Sequence, residues 1–299
     1  MNSITILKLV IIFNDLECTH GRANIPNNMN EIFQAIAREA GLAAEHLAIG
    51  ASALGKSNYA QQSYYYQAFF ALSVGFERCA KLTLLIDYTL EHNGSFPSND
   101  IIRRYGHNIR NLLELTDLIA ERRGFEERLP RSLIHNGIIE VLNDFASNIT
   151  RYYNIEFITG APNITQRQDS IQDWFVKVIT PIINIHRSPR QQKKHEYNAR
   201  IVNDLLEPFA LVQHHAENGN ELNTPYKASL QTATINFAIP YTRMYVLQIA
   251  RFIGNTLSEL GYISMSQQID TIPYLSDFFA IFNNSNAYFK ERKTWSIYG

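Results

Sequence analysis

Apolar residues recur along this chain at three- and four-residue intervals, the spacing of one helix face. The clearest case is Tyr65, Phe69, Leu72, Phe76 and Cys79, which step by four, three, four and three and predict a helix over about 59–91. Asn30 can cap an earlier helix that runs to about Ala40, where Gly41 is expected to end or kink it, with 42–54 continuing helically. A helix starting near 98–100, or after Gly106, carries Ile109, Leu112, Leu113, Leu115 and Ile119, and another covers 132–150. Residues 155–164 read as a linker or crossing loop. The second half repeats the pattern: 166–186 with Pro181 as a kink, 196–217 with Ile201, Leu205 and Phe209 on one face, 226–260 as one helix or two around Pro240, and 269–289. The stretch 186–195 is polar and basic and reads as a connection. Strict two-residue alternation is nearly absent, so the expected class is all-α, an up-and-down bundle followed by a further helical half. The boundaries are an N-terminal extension over 1–28, a bundle over 29–160 and a second helical domain or subdomain over 161–299.

The chain has 299 residues, 45% of them apolar and 18% charged, which excludes a disordered polymer. A net charge of -1 excludes a wholesale basic nucleic-acid binder, so any such binding must use a local patch. Two distant cysteines, Cys18 and Cys79, make neither a disulfide scaffold nor a thiolate zinc site, and point to a reducing cytoplasm. The apolar run Leu7–Phe13 is too short to span a bilayer and lacks the flanks of a secretory signal, so no membrane association is expected. His214 and His215 are adjacent and lack metalloprotease spacing, and no glycine-rich phosphate loop or nucleophile elbow is present. No metal and no cofactor are expected.

Three stretches carry a resemblance. They are Ala68 to Lys81, which holds Glu77 and Lys81 four residues apart; Gly106-His107-Asn108-Ile109-Arg110-Asn111-Leu112-Leu113; and Thr150-Arg151-Tyr152-Tyr153. Together, over about residues 43–163, they resemble the HEPN superfamily. The resemblance implies an up-and-down bundle of four or five helices, commonly a homodimer, found in prokaryotic defence and toxin–antitoxin systems. One branch of that family consists of metal-independent ribonucleases marked by an Arg-x4–6-His spacing. The other branch has no catalysis and binds RNA, nucleotides or a protein partner.

Arg128 and His135 are the best-spaced catalytic pair within the resembling region, with His135 as a general base and Arg128 stabilising the transition state. Pro130 lies between them, against the helical setting the family uses, and such spacings arise by chance in a chain with 9 histidines. Candidate binding residues are Arg104, His107, Arg151 and Tyr152, together with the basic stretch of Arg187, Arg190, Lys193 and Lys194. Each has a plainer reading. Glu77 and Lys81 make a helix ion pair, His107 marks a helix start, Arg151 caps a helix end, and the basic stretch is a solvated loop. The leading expectation is a non-catalytic HEPN-like binder. A ribonuclease and a purely structural helical module are the alternatives. Convergence of Arg and His would mark the first alternative, and a large apolar patch the second.

Overall fold

The computed structural model describes residues 27–147, 150–162, 164 and 169–297. The expected extension, with its Leu7–Phe13 run and Cys18, therefore lies outside the described residues except at its end, where α1 begins. The chain is all-α, as the periodicity predicts; the strands among the described residues are one antiparallel pair of two residues each.

Helix α1 (Asn27–Leu54) runs through Gly41 without ending there. A helical glycine costs about 1 kcal/mol, and burial of Ala40, Ala43, Ala44 and Leu47 on either side outweighs it. Helix α2 (Ser63–Glu91) begins later than the predicted 59, because the Asn58 side chain accepts the N–H groups of Ala60 and Gln61 and holds them in a turn. The short α3 (Asn99–Arg104) leads to α4 (Ile109–Arg123). Asn108 caps the start of α4 by accepting the Asn111 N–H at 2.9 Å, and Gly124 (φ 72°) ends it in the left-handed region. Helix α5 (Leu133–Ala146) is capped by Ser132, and α6 (Tyr153–Ile158) occupies part of the segment read as a linker.

Helices α7 (Ser170–Trp174) and α8 (Thr180–His186) are one rod joined by a π-helical stretch, Phe175–Ile179. Pro181 has no N–H to offer the Lys177 carbonyl. That carbonyl lies against Gly137 of α5, where a Cβ would stand 2.5 Å from it. Helix α9 (Pro189–Leu206) corrects the reading of 186–195 as a connection. Ser188 and Gln191 form a reciprocal capping box and Pro189 takes the first helical position, so the basic residues occupy the opening turns of a helix. The same helix stops well short of the predicted 217. Pro208 cannot donate to the ladder, and the chain turns into the hairpin of β1 (His214–His215) and β2 (Glu221–Leu222).

Helix α10 (Pro225–Ser266) continues through Pro240 as a single element. The final segment, read as one helix over 269–289, is instead broken into α11 (Ser276–Phe279), a 3-10 turn at Ala280–Phe282 and α12 (Asn286–Glu291). Ser285 caps α12 and starts it afresh.

Helices α1 and α2 are antiparallel, with Leu47 against Gly75 and Leu72 against Gly50. Helix α5 runs antiparallel to α2, with Ser73 Oγ donating to the Leu142 carbonyl, and antiparallel to α4, with Arg110 near Glu140 and Arg131 on Glu114. The up-and-down alternation breaks between α2 and α4. Glu77 meets His107 and Asp87 meets Arg122 and Arg123, so these two helices are parallel. Residues 92–108, with α3, carry the chain back along α2 before α4 sets out. The second half of α10 packs on α1, α2, α4 and α5. One continuous apolar core results, holding Phe69, Phe76, Trp174, Phe252, Phe279 and Trp295 together.

Candidate functional site

The residues that carry the resemblance in α2 and ahead of α4 meet in space. Glu77 Oε1 accepts from His107 Nδ1 at 2.8 Å and from Lys81 Nζ at 2.9 Å, and Lys81 Nζ stands 3.4 Å from His107 Nδ1. The parallel course of α2 and α4 produces this cluster, since it returns residue 107 to the level of residue 77. The Glu77 carboxylate orients the ring through Nδ1, and the side chain is 81% exposed, so Nε2 faces solvent. Chemically the cluster is an oriented imidazole backed by a carboxylate and an ammonium group. Arg104, at the end of α3, is exposed.

Arg128 and His135 do not converge on a common point. Arg128 donates through Nε and Nη2 to Asp117 and through Nη2 to Glu121, so its guanidinium braces the loop after α4. Asp117, buried at 4% exposure, also accepts the Leu129 N–H and an Arg131 Nη2–H. Burial alone would raise this carboxyl, but the donors from Arg128, Leu129 and Arg131 outweigh it and hold it below the usual carboxylate range. His135 is buried between Ser132 Oγ (2.7 Å, on Nδ1) and Gln248 Oε1 (2.8 Å, on Nε2), edge-on to Tyr245. Both ring nitrogens are therefore used, and burial pushes the imidazole below its ordinary value.

Arg151 lies over the rings of Phe145 (5.0 Å) and Phe70 (5.7 Å), a cation–π arrangement, while the neighbouring Tyr152 is exposed. Arg187 is half-buried and donates to Thr234 Oγ1. Arg190, Lys193 and Lys194 are exposed on the first turns of α9 and form no ion pair among the described residues. At the end of α8 His186 stacks on Tyr241 with ring centroids 4.2 Å apart and shares a hydrogen bond with Tyr245, and Lys290 Nζ stands 5.4 Å from the Tyr241 ring centroid.

What the sequence reading missed is which way the apolar face of α9 points. Tyr197, Ile201 and Leu205, spaced by four, are 65%, 42% and 66% exposed, and Phe209 and Leu211 beyond the helix are more exposed still. The opposite face, with Ala199 buried, packs on the first half of α10. The spacing identified the stripe, but nothing in the sequence says whether another element covers it.

Two clefts open among the described residues. One, of about 280 Å³ between α2 and α4, is lined by Tyr88, Tyr105 and Leu115, and its charges are internally matched, with Arg122 bridging Asp87 and Glu91. The other, of about 190 Å³, holds Asp169, His215 and the buried Glu217. Glu217 accepts from Tyr65 Oη and Gln231 Nε2, and burial raises its carboxyl. No group of three metal-ligating side chains exists among the described residues, and His214 and His215 lie on a strand. No helix among them is long and apolar enough to cross a membrane. No family model matches the chain, and neither a curated protein nor a solved structure matches it significantly.

Proposed function

We propose that this chain is a HEPN-like helical interaction module that engages a protein partner through the exposed face of α9. The carrying observation is the solvent-facing stripe of Tyr197, Ile201 and Leu205. A helix on a globular protein normally turns its apolar stripe inward, and contiguous exposed apolar patches mark interaction sites. The meeting of Glu77, Lys81 and His107 supports the HEPN-like reading, because it joins two of the three stretches on which the resemblance rests. A cytoplasmic setting accords with the free thiol of Cys79. The ribonuclease reading gains nothing from Arg128 and His135, whose polar atoms are taken up by Asp117, Glu121, Ser132 and Gln248.

A second reading, RNA binding, is favoured by Arg190, Lys193 and Lys194, exposed cations on the first turns of α9 that form no ion pair among the described residues. Three such phosphate contacts would give a log–log salt slope of about -2 for a single strand.

One experiment separates the two. A photo-crosslinking phenylalanine analogue in place of Tyr197, activated in cells, is expected to yield a protein adduct. An RNA adduct would replace the first reading with the second, and no adduct at all would overturn both.

A further inference from the structure

Resting on the reading of α9 as a protein-binding face, we infer that its occupant is α9 of a second copy of this chain, lying antiparallel about a two-fold axis at Ile201. The charges along the helix carry the inference. Helix α9 opens with Arg190, Lys193 and Lys194, carries Glu196 and Arg200 in its middle, and closes with Asp204, followed by Glu207 as its C-cap; the basic and acidic ends are exposed. None of the five end charges makes an ion pair among the described residues; Glu207 accepts only the amide of its own neighbour Asn203. This order opposes the helix dipole, which favours anions at the N-terminus and cations at the C-terminus, so it weakens the helix standing alone.

The same order is complementary to itself in one arrangement. At 100° per residue, Arg190, Lys193, Lys194, Tyr197, Ile201, Asp204 and Leu205 fall on one side of the helix, away from the buried Ala199. Tyr197 and Leu205 each stand four residues from Ile201. A two-fold axis there lays each Tyr197 on the second copy's Leu205 and the two Ile201 side chains against each other. Lys194 stands seven residues before the axis and Glu207 six after it, so the basic end of each helix meets the acidic end of the other. Both dipoles are then opposed as well. A parallel pair would instead set three cations against three cations. The antiparallel contact is isologous, the self-complementary form that closes a dimer. Phe209 and Leu211, also exposed, add apolar area beyond the helix end, as a stable interface of about 1,200 Å² or more requires.

The test is sedimentation velocity of the full chain from low micromolar to about 100 µM, a range that brackets weak and tight association. A dimer is expected for the wild type and a monomer for Ile201→Asp. The double variants K193E/K194E and D204K/E207K are each expected to dimerise at least tenfold more weakly. An equimolar mixture of the two should recover wild-type affinity, because each heterodimer restores opposite charges at both ends. All the altered side chains are exposed, so unchanged circular dichroism and melting verify the fold. A wild-type dimer that survives Ile201→Asp, or that neither charge variant weakens, refutes pairing through α9. A wild-type monomer at every concentration also refutes it. If a protein adduct at position 197 persists in that case and is lost in Ile201→Asp, the binding face stands with a different partner; if there is no adduct, both fail together.

Discussion

Leu72 of α2 packs so closely on Gly50 of α1 that a Cβ at position 50 would stand 2.5 Å from Leu72 Cγ and 2.8 Å from Cδ2. The reciprocal contact occurs one layer along, with Gly75 of α2 under Leu47 of α1. Each glycine accepts a leucine from the facing helix, which lets the two longest helices of the bundle half approach closely. In a helix interior alanine is favoured over glycine by about 1 kcal/mol. At Gly50 the methyl would collide with a branch carbon that the helix backbone holds in place, an overpacking cost of about 1–3 kcal/mol. Gly50→Ala is therefore expected to lower unfolding stability by about 1 kcal/mol in denaturant titration. Gly261→Ala is the contrasting case. Its new Cβ meets Leu275 at an ordinary 3.5 Å, so the propensity gain should survive and stability should rise by about 0.5–1 kcal/mol. Equal effects at both positions would contradict the close approach of α1 and α2.

Asp117 ties the loop after α4 to the bundle through Arg128, Arg131 and the Leu129 N–H. Asp117→Ala removes all of these acceptors at once and should cost about 2–3 kcal/mol at neutral pH. The pH dependence has a definite sign. The folded carboxyl lies below its unfolded value, so its stabilisation is complete above about pH 4 and is lost as pH falls through the depressed folded value. The stability gap between wild type and Asp117→Asn should shrink on acidification. A gap that stays constant from pH 7 to pH 3 would mean that the carboxylate is not held as its charged form.

His135 behaves in the opposite sense. Burial keeps the imidazole neutral in the fold, and the unfolded chain takes up the proton first, near pH 6.5. Its contribution is therefore intact above that pH and declines as pH falls from there towards the lower folded value. His186 and His195 are lowered by burial too, so the wild-type melting temperature should fall between pH 7.5 and 5.5. His135→Gln should flatten part of that slope. It should also leave any action on RNA unchanged, because Ser132 and Gln248 occupy both ring nitrogens. Cleavage of total RNA in EDTA that disappears in His135→Ala would restore the ribonuclease reading.

The contrast between α2 and α9 shows how far the pattern of residues reaches. The stripe from Tyr65 to Cys79 was legible as a buried helix face because its apolar positions fill a core that the rest of the chain must supply. The stripe of Ile201 and Leu205 has the same spacing and faces water. Periodicity fixes which residues share a face and is silent on what covers it. Helix ends followed the strongest local chemistry, and the errors arose where two signals competed. Pro189 reads as a breaker until Ser188 and Gln191 are recognised as a capping box, after which it is a first-turn proline. Pro240 has no such cap, and packing on both sides carries α10 through it. The meeting of Glu77 and His107 was out of reach from spacing alone, because it depends on α2 and α4 running parallel. A run of 17 residues, 92–108, permits that course but does not announce it.

Trp295 fixes the C-terminal segment to the far end of α1. Its backbone N–H donates to Ser52 Oγ at 2.7 Å, and that hydroxyl donates back to the Trp295 carbonyl at 3.2 Å. The ring is 4% exposed and packs against Phe282, Tyr288 and Phe289. The Arg243 guanidinium lies nearby and donates to the carbonyls of Lys290 and Lys293, closing the end of α12. Trp295→Ala should cost about 3–5 kcal/mol, the usual loss for a buried indole. Trp295→Phe should cost much less, about 1–2 kcal/mol, because the indole N–H has no hydrogen-bond partner among the described residues and chiefly volume is lost. Ser52→Ala should cost about 1–2 kcal/mol through its two bonds to the segment. Combining Ser52→Ala with Trp295→Ala should cost less than the sum, since both act by releasing one segment. Additive losses in a double-mutant cycle would mean that hydroxyl and ring stabilise the fold independently.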